Sequence, residues 1–385
     1  MEIEEYVEFL KDLHSILLEY LENIVESNDD FQILINLLEK QKVFENRQEI
    51  KEFFHLILII SRNRQRFPDF FSKIDKIFNY FITDIKQTLS KSELFKIFHK
   101  NKRILLFLFN KKIITIDETI KNCIIKRINS KDKNFRYFFY PEIESIIEKE
   151  TSNVIKSELL QIDPEIFTDF EGKRQKGEND SYVCELIRND SIEKFISYSN
   201  LTNLKLTMKI KPSIFETNSY LANKNPTLIE YSAFFGSIQI FQYLFLNKVK
   251  LTSSLWIYAI HGKNPDLIHL LEENKILPED KTYEKCLKKA IKFHHNDIAN
   301  YIQNNLIDEE ILNFNLQKRF NENILAYSFH YYNYSYFPDD LNHKFIFYYL
   351  CEYNYCTLVD FLLKNRDFNI NKPLIQTKKC FFIKF

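Results

Sequence analysis

The chain holds only four glycines and nine prolines in 385 residues. Strand-rich folds need glycine for hairpin turns, so the shortage favours helices. Four glycines also cannot build a phosphate cradle: neither G-x-x-x-x-G-K-[ST] nor G-x-G-x-x-G occurs, and G-x-S-x-G is missing too. The six cysteines lie far apart with no Cys-x-x-Cys pair, which fits reduced, packed thiols in a cytoplasmic protein. No H-E-x-x-H occurs. His294-His295 beside Asp297 is the densest metal-like cluster, but adjacent helical residues point about 100° apart and rarely share an ion. No metal or cofactor is expected. The longest apolar runs, FFHLILII (53–60) and ILLFLF (104–109), fall short of the roughly 20 residues that span a bilayer, so no membrane insertion is expected. The acidic, amphipathic start MEIEEYVEFLKDL is unlike a signal or transit peptide.

An excess of one charge is absent as well: 53 basic side chains balance 53 acidic ones, which argues against a nucleic-acid partner. The charges are unevenly spread, however. Residues 91–136 carry thirteen Lys and Arg against four acids, which leaves a basic nucleic-acid or phospho-ligand patch there as the alternative reading.

What is present is apolar bulk. Hydrophobic residues make up 45% of the chain, with 37 Phe and 22 Tyr, ample to fold and contrary to disorder. In the first 170 residues, Phe9, Leu10, Leu13, Ile16, Leu17, Tyr20 and Leu21 recur at three- and four-residue steps, the period of one helical face. Similar segments follow at short polar joints, so residues 1–170 read as a helical-hairpin region. EGKRQKGENDS (171–181) is nearly devoid of apolar side chains and reads as a loop or linker.

Beyond it the sequence repeats. Ala233 and Gly236 lie six and nine residues after Thr227, and Ala259 and Gly262 lie six and nine after Ser253. Apolar pairs four apart follow: Ile240 and Leu244, Leu267 and Leu271, Ile298 and Ile302 after Ala290, Ile192 and Ile196 upstream, Leu358 and Leu362 downstream. Each copy reads as a helix, a turn and a second helix. The alanines permit close packing, Gly236 and Gly262 end the first helix in a left-handed conformation, and the pair faces the core. One hairpin cannot bury its own apolar flank, so copies must stack.

TLIEYSAFFGSIQIFQYLFLNKVKL resembles an ankyrin repeat. Thr227, Ile229, Ser232, Ala233 and Gly236 fill the Thr, Leu, paired small and Gly slots of T-P-L-H-x-A-A-x-x-G, whereas Leu228 and Glu230 replace Pro and His. The second copy keeps Leu255, Ala259 and Gly262; the third has Phe293 in the glycine slot. With CELIRNDSIEKFI, IKPSIFETNSYL and CLKKAIKFHHNDIANYI, the chain is most similar to the divergent ankyrin-repeat proteins expanded in trichomonad-type protozoa, which carry an uncharacterised domain ahead of further repeats. That resemblance implies an ankyrin-like solenoid and no particular activity.

The expected fold is thus all-α: a helical region (1–170), a linker (171–181), divergent ankyrin-like repeats (182–310), a degenerate copy or insertion (311–343) and a further repeat (344–385) that stops, as if truncated, at QTKKCFFIKF. The expected function is a non-enzymatic protein–protein interaction scaffold using the concave face, with a cryptic enzyme as a further alternative. Neither the partner protein nor the oligomeric state can be read from the residues. The positions expected to stand exposed on that face are Tyr231, Phe234, Trp256, Ile257 and His261, with the lone tryptophan as a candidate anchor. SFHYYNYSYF (328–337) reads either as a loop packed over the array or as a contact surface.

Overall fold

The computed structural model describes residues 3–23, 28–63, 69–126, 134–222, 224–307, 314–338, 341 and 344–364. The stretch QTKKCFFIKF, and with it the expectation of a truncated array, lies outside them.

Among the described residues every regular element is a helix, apart from an isolated antiparallel bridge between Lys209 and Thr227 in the long connection from Leu201 to Leu228. The first part runs α1 (Ile3–Glu22), α2 (Asn28–Lys40), α3 (Arg47–Asn63), α4 (Phe70–Tyr80), α5 (Ile82–Thr88), α6 (Lys91–Phe98), α7 (Lys102–Asn110), α8 (Glu118–Lys126), α9 (Asn134–Phe138), α10 (Tyr140–Ile143), α11 (Lys149–Ile162) and α12 (Phe170–Lys176). The second runs α13 (Tyr182–Arg188), α14 (Ile192–Leu201), α15 (Leu228–Phe235), α16 (Ile238–Leu246), α17 (Leu255–Gly262), α18 (Pro265–Glu273), α19 (Glu284–Lys292), α20 (Asn296–Tyr301), α21 (Phe314–His330), α22 (Lys344–Glu352) and α23 (Cys356–Lys364). None of these helices is long and apolar enough to cross a membrane.

Local chemistry starts and stops these helices. Ser90 and Glu93 form a reciprocal capping box on α6, and Thr227 and Glu230 form another on α15. Helix α3 is buried on most of its circumference, including Ile50, Phe53, Phe54, Leu56, Ile57 and Ile60, and so acts as a core helix rather than an amphipathic one.

The loop expected at 171–181 begins as helix. Phe170 and Arg174 turn inward, and the buried guanidinium of Arg174 is held by Glu142, Glu171 and the Phe138 carbonyl. A charged residue reads as exposed in sequence, but paired carboxylates carry it inside. Gly177 then ends the helix at φ 68°.

The repeated modules share one backbone device. After the first helix of each, a single residue turns left-handed: Asp190, Gly236, Lys263, His294 and Asn354. The next residue (Ser191, Ser237, His295, Tyr355) donates its N–H to a carbonyl five positions back (Leu186, Ser232, Ala290, Leu350), closing a Schellman turn. Tyr332 and Asn333 repeat the motif after α21. The first helices α13, α15, α17, α19 and α21 contact one another in sequence order, and α14 lies beside α16. Ala233, Ala259 and Ala290 are buried there. So are the apolar pairs of every copy but the first, where Phe195 and Ser199 face the core instead of Ile192 and Ile196.

Gly262 does not end its helix as expected. Copies two and three place the left-handed residue four positions after their alanine, not three, so Lys263 takes that role. Gly262 is instead a close-approach site: a Cβ there would lie 2.1 Å from the Ala233 carbonyl oxygen.

The core divides differently from the expected segments. The buried residues of 183–302 share one cluster with Ile324, except Ile214 and Phe215, which join the cluster of α1–α12 together with Phe329, Tyr332, Tyr334, Phe337, Leu350, Tyr355 and Leu358. Helix α23 contacts both α1 and α3, so the late modules fold back onto the beginning of the chain. Buried Glu52 marks the seam, accepting from the Thr357 N–H at 3.0 Å and facing the Tyr6 hydroxyl at 3.5 Å. SFHYYNYSYF is therefore mostly packing: Phe329, Tyr332, Tyr334 and Phe337 are buried, and the Tyr332 hydroxyl donates to the Tyr353 carbonyl.

Candidate binding groove

Close stacking of α15, α17 and α19 leaves a groove of about 700 Å³ along their exposed side. Its walls come from those helices and from the connecting segments around Thr207, Lys209, Val249, Lys250 and Glu279, with Tyr220 and Tyr327 at its edge. Its apolar lining is half-buried Ile257 with the buried Ile229, Val249 and Tyr258.

Of the five positions expected to be exposed here, only Ile257 is. It is half-buried and lines the groove. Trp256 is fully buried at 0% exposure; its Nε1 donates to the Ile276 carbonyl at 2.6 Å and its ring meets Tyr283 edge-on. Tyr231 is buried with its hydroxyl accepting from Arg188 at 3.0 Å. Phe234 and His261 are buried together, with ring centroids 4.5 Å apart, and His261 stacks on Phe293 at 3.6 Å. The error has a simple cause. Successive helical residues point about 100° apart, and the helices approach so closely that the chosen positions wedge between modules. Their neighbours Glu230 and Tyr258 face the groove.

The sequence reading missed the lysines. Lys209, Lys224, Lys250, Lys285, Lys288 and Lys289 line the groove against two acids, Glu230 and Glu279. Glu230 is already engaged by the α15 cap and by the Ser254 hydroxyl at 2.6 Å, and Glu284 takes Lys288. A signal was present. Lys285, Lys288, Lys289 and Lys292 fall at i, i+3, i+4 and i+7 of EKCLKKAIK, a single helical face opposite buried Cys286, Leu287, Ala290 and Ile291. Burial lowers the pKa of Lys289, and the charge of Lys224 lowers it further. Burial together with the charges of Lys289 and Arg62 brings Lys292 down to about 8. Burial also pushes the Tyr220 hydroxyl up to about 12.

Much of the basic 91–136 segment is spent internally. Lys102 and Arg103 are buried; Lys102 donates to the Ile214 carbonyl, and Arg103 pairs with Asp75 at 2.8 Å. Arg136 pairs with Glu158, and Lys121 with Glu118. Residues 127–133 lie outside the described positions.

His294 and His295 are interior as well. His294 Nε2 lies 2.8 Å from the Tyr331 carbonyl, and its Nδ1 lies 2.6 Å from His14 Nε2. A carbonyl only accepts, so His294 donates from Nε2 and accepts at Nδ1 from His14. The pair ties α1 to the turn after α19. Among the described residues, no group of three or more His, Cys, Asp and Glu side chains could hold a metal ion. Cys184 and Cys286 are buried, and burial raises both thiol pKa values, that of Cys184 to about 12.

No family model, no curated protein and no solved structure matches the chain.

Proposed function

We propose that this protein is a divergent ankyrin-type solenoid that serves as a non-enzymatic protein–protein interaction scaffold, binding its partner in the groove of α15, α17 and α19. The observation that carries this reading is where the groove sits: first helices and connecting segments, the elements a solenoid of this type presents on its concave side, bound a half-open trough with apolar lining residues. Supporting it are the ordered stacking of first helices and the left-handed turn shared by the modules. A stack of hairpins leaves an extended surface, and recognition there requires no chemistry.

Affinity capture of the full chain from its own cells tests the proposal. Ile257→Asp and Lys285→Glu would be compared with wild type, and Leu246→Asp, at an exposed position outside the groove, serves as control. The groove variants should lose a partner that the control keeps, with helicity unchanged by circular dichroism. Partners indifferent to both groove variants would contradict it.

A further inference from the structure

We infer that the groove takes an acidic peptide segment in which Asp or Glu side chains are interleaved with aliphatic or aromatic ones. This deepens the proposed function and rests on the groove being the contact surface.

Among the described residues, Lys224, Lys289 and Lys292 have no carboxylate partner within ion-pair distance. Two of them lie over rings instead, Lys224 over Tyr220 at 5.7 Å and Lys292 over Tyr331 at 5.2 Å. Several buried or half-buried cations elsewhere are matched by acids, Arg103 by Asp75, Arg136 by Glu158 and Arg174 by Glu142. The chain carries as many acids as bases, 53 of each, so a shortage of carboxylates does not explain the unpaired lysines. Leaving Lys289 and Lys292 unmatched costs stability, since both are partly desolvated and each stands beside another cation, Lys224 for Lys289 and Lys289 for Lys292. An incoming carboxylate would offset both penalties by supplying the missing opposite charge.

Two features favour a peptide over a phosphodiester chain. The apolar lining of Ile229, Val249, Ile257 and Tyr258 is flanked by lysines, so it fits side chains of alternating character. Glu230 and Glu279 also stand inside the groove. A polynucleotide carries charge at every residue and would set phosphates against these carboxylates, whereas a peptide can present a neutral residue to each. Lysines at the edge of an apolar trough also give the usual division of labour: burial anchors the segment, and charge steers it and sets its register.

Fluorescence anisotropy with the full chain tests this. The probes are a fluorescein-labelled twelve-residue peptide of Asp, Glu, Leu and Phe, its Asn/Gln counterpart, and a labelled oligothymidylate of equal charge. The wild-type chain should bind the acidic peptide at least about tenfold more tightly than either of the others. Lys224→Glu and the double variant Lys285→Glu, Lys289→Glu should each weaken it by about tenfold or more, and added salt should weaken it further. Lys149→Glu, an exposed charge reversal on α11, should leave it unchanged. Equal affinity for the neutral peptide, tighter binding of the oligonucleotide, or indifference to the groove reversals would overturn the inference. If the partner captured from cells depends on Ile257 but not on the lysines, the groove reading stands and the acidic-peptide inference alone falls.

Discussion

At the scale of single residues, the scarcity of glycine has a structural consequence. Among the described residues, fourteen other than glycine hold positive φ, including Lys42, Lys112, Lys248, Lys263 and Lys275 at helix ends. Outside glycine the left-handed region costs on the order of 1 kcal/mol. Measured against Lys263→Ala, which equally lacks the 3.2 Å ion pair to Glu22, Lys263→Gly should therefore be more stable by about 0.5–1 kcal/mol in urea unfolding. Gly262→Ala, one residue earlier, should do the opposite, by about 3 kcal/mol, because its methyl group meets the backbone of α15 and not a movable side chain. If alanine at 262 were tolerated, the close approach of α15 and α17 would be wrong. These two neighbours also show how far sequence could go. Gly236 was readable as a left-handed turn, and it is one. Gly262 occupies the same consensus slot, but an extra residue before the turn shifts it onto the helix interface, and only the packing reveals that.

The helix is the scale at which the candidate site was misjudged. Periodicity located the first helices and the paired apolar residues of the second ones, because a buried stripe leaves its spacing in the sequence. It gave the wrong exposed positions, because Tyr231 and Trp256 are amphipathic residues that find hydrogen-bond partners inside. The lysine face of α19 was equally visible as a pattern; what sequence lacked was the knowledge that this face closes a groove. Its energetics can be tested directly. With its folded pKa near 8 against 10.5 in the free side chain, Lys292 holds its proton less well in the folded chain than in the unfolded one. Between those two values the unfolded state binds more protons, so stability rises with pH there; below about pH 8 the full cost is present. Lys292→Met should remove that rise and stabilise the protein by about 1–2 kcal/mol at pH 7. A destabilising outcome would mean that the ammonium is satisfied internally.

For the whole molecule, the decisive feature is that the late modules close onto α1 and α3. Sequence arranged the modules in a line and gave no hint of this return, since contacts such as Thr357 with Glu52 join residues more than 300 positions apart. Local pattern carries no information about such pairings. Burial pushes the Glu52 carboxyl up to about 7 from 4.5, outweighing its hydrogen bonds to Thr357 and Tyr6. A carboxyl whose folded pKa is raised supports the fold fully below its unfolded value and loses that contribution as pH climbs through the folded one. Stability should thus decline between about pH 4.5 and 7, and Glu52→Gln should make that decline shallower, the rest coming from Glu49 and Glu216, which burial also raises to about 7. Hydrogen exchange would locate the effect in α1, α3 and α23, with α15–α18 little changed, because the two sets of helices belong to separate hydrophobic clusters.

The proposed recognition role is tested most directly by hydrogen exchange of the chain with and without its captured partner. Protection should concentrate in the groove segments: residues 227–231, 249–258 and 284–292. Protection confined to 91–136 or to α14 and α16, with those groove segments exchanging as in the free protein, would contradict the account.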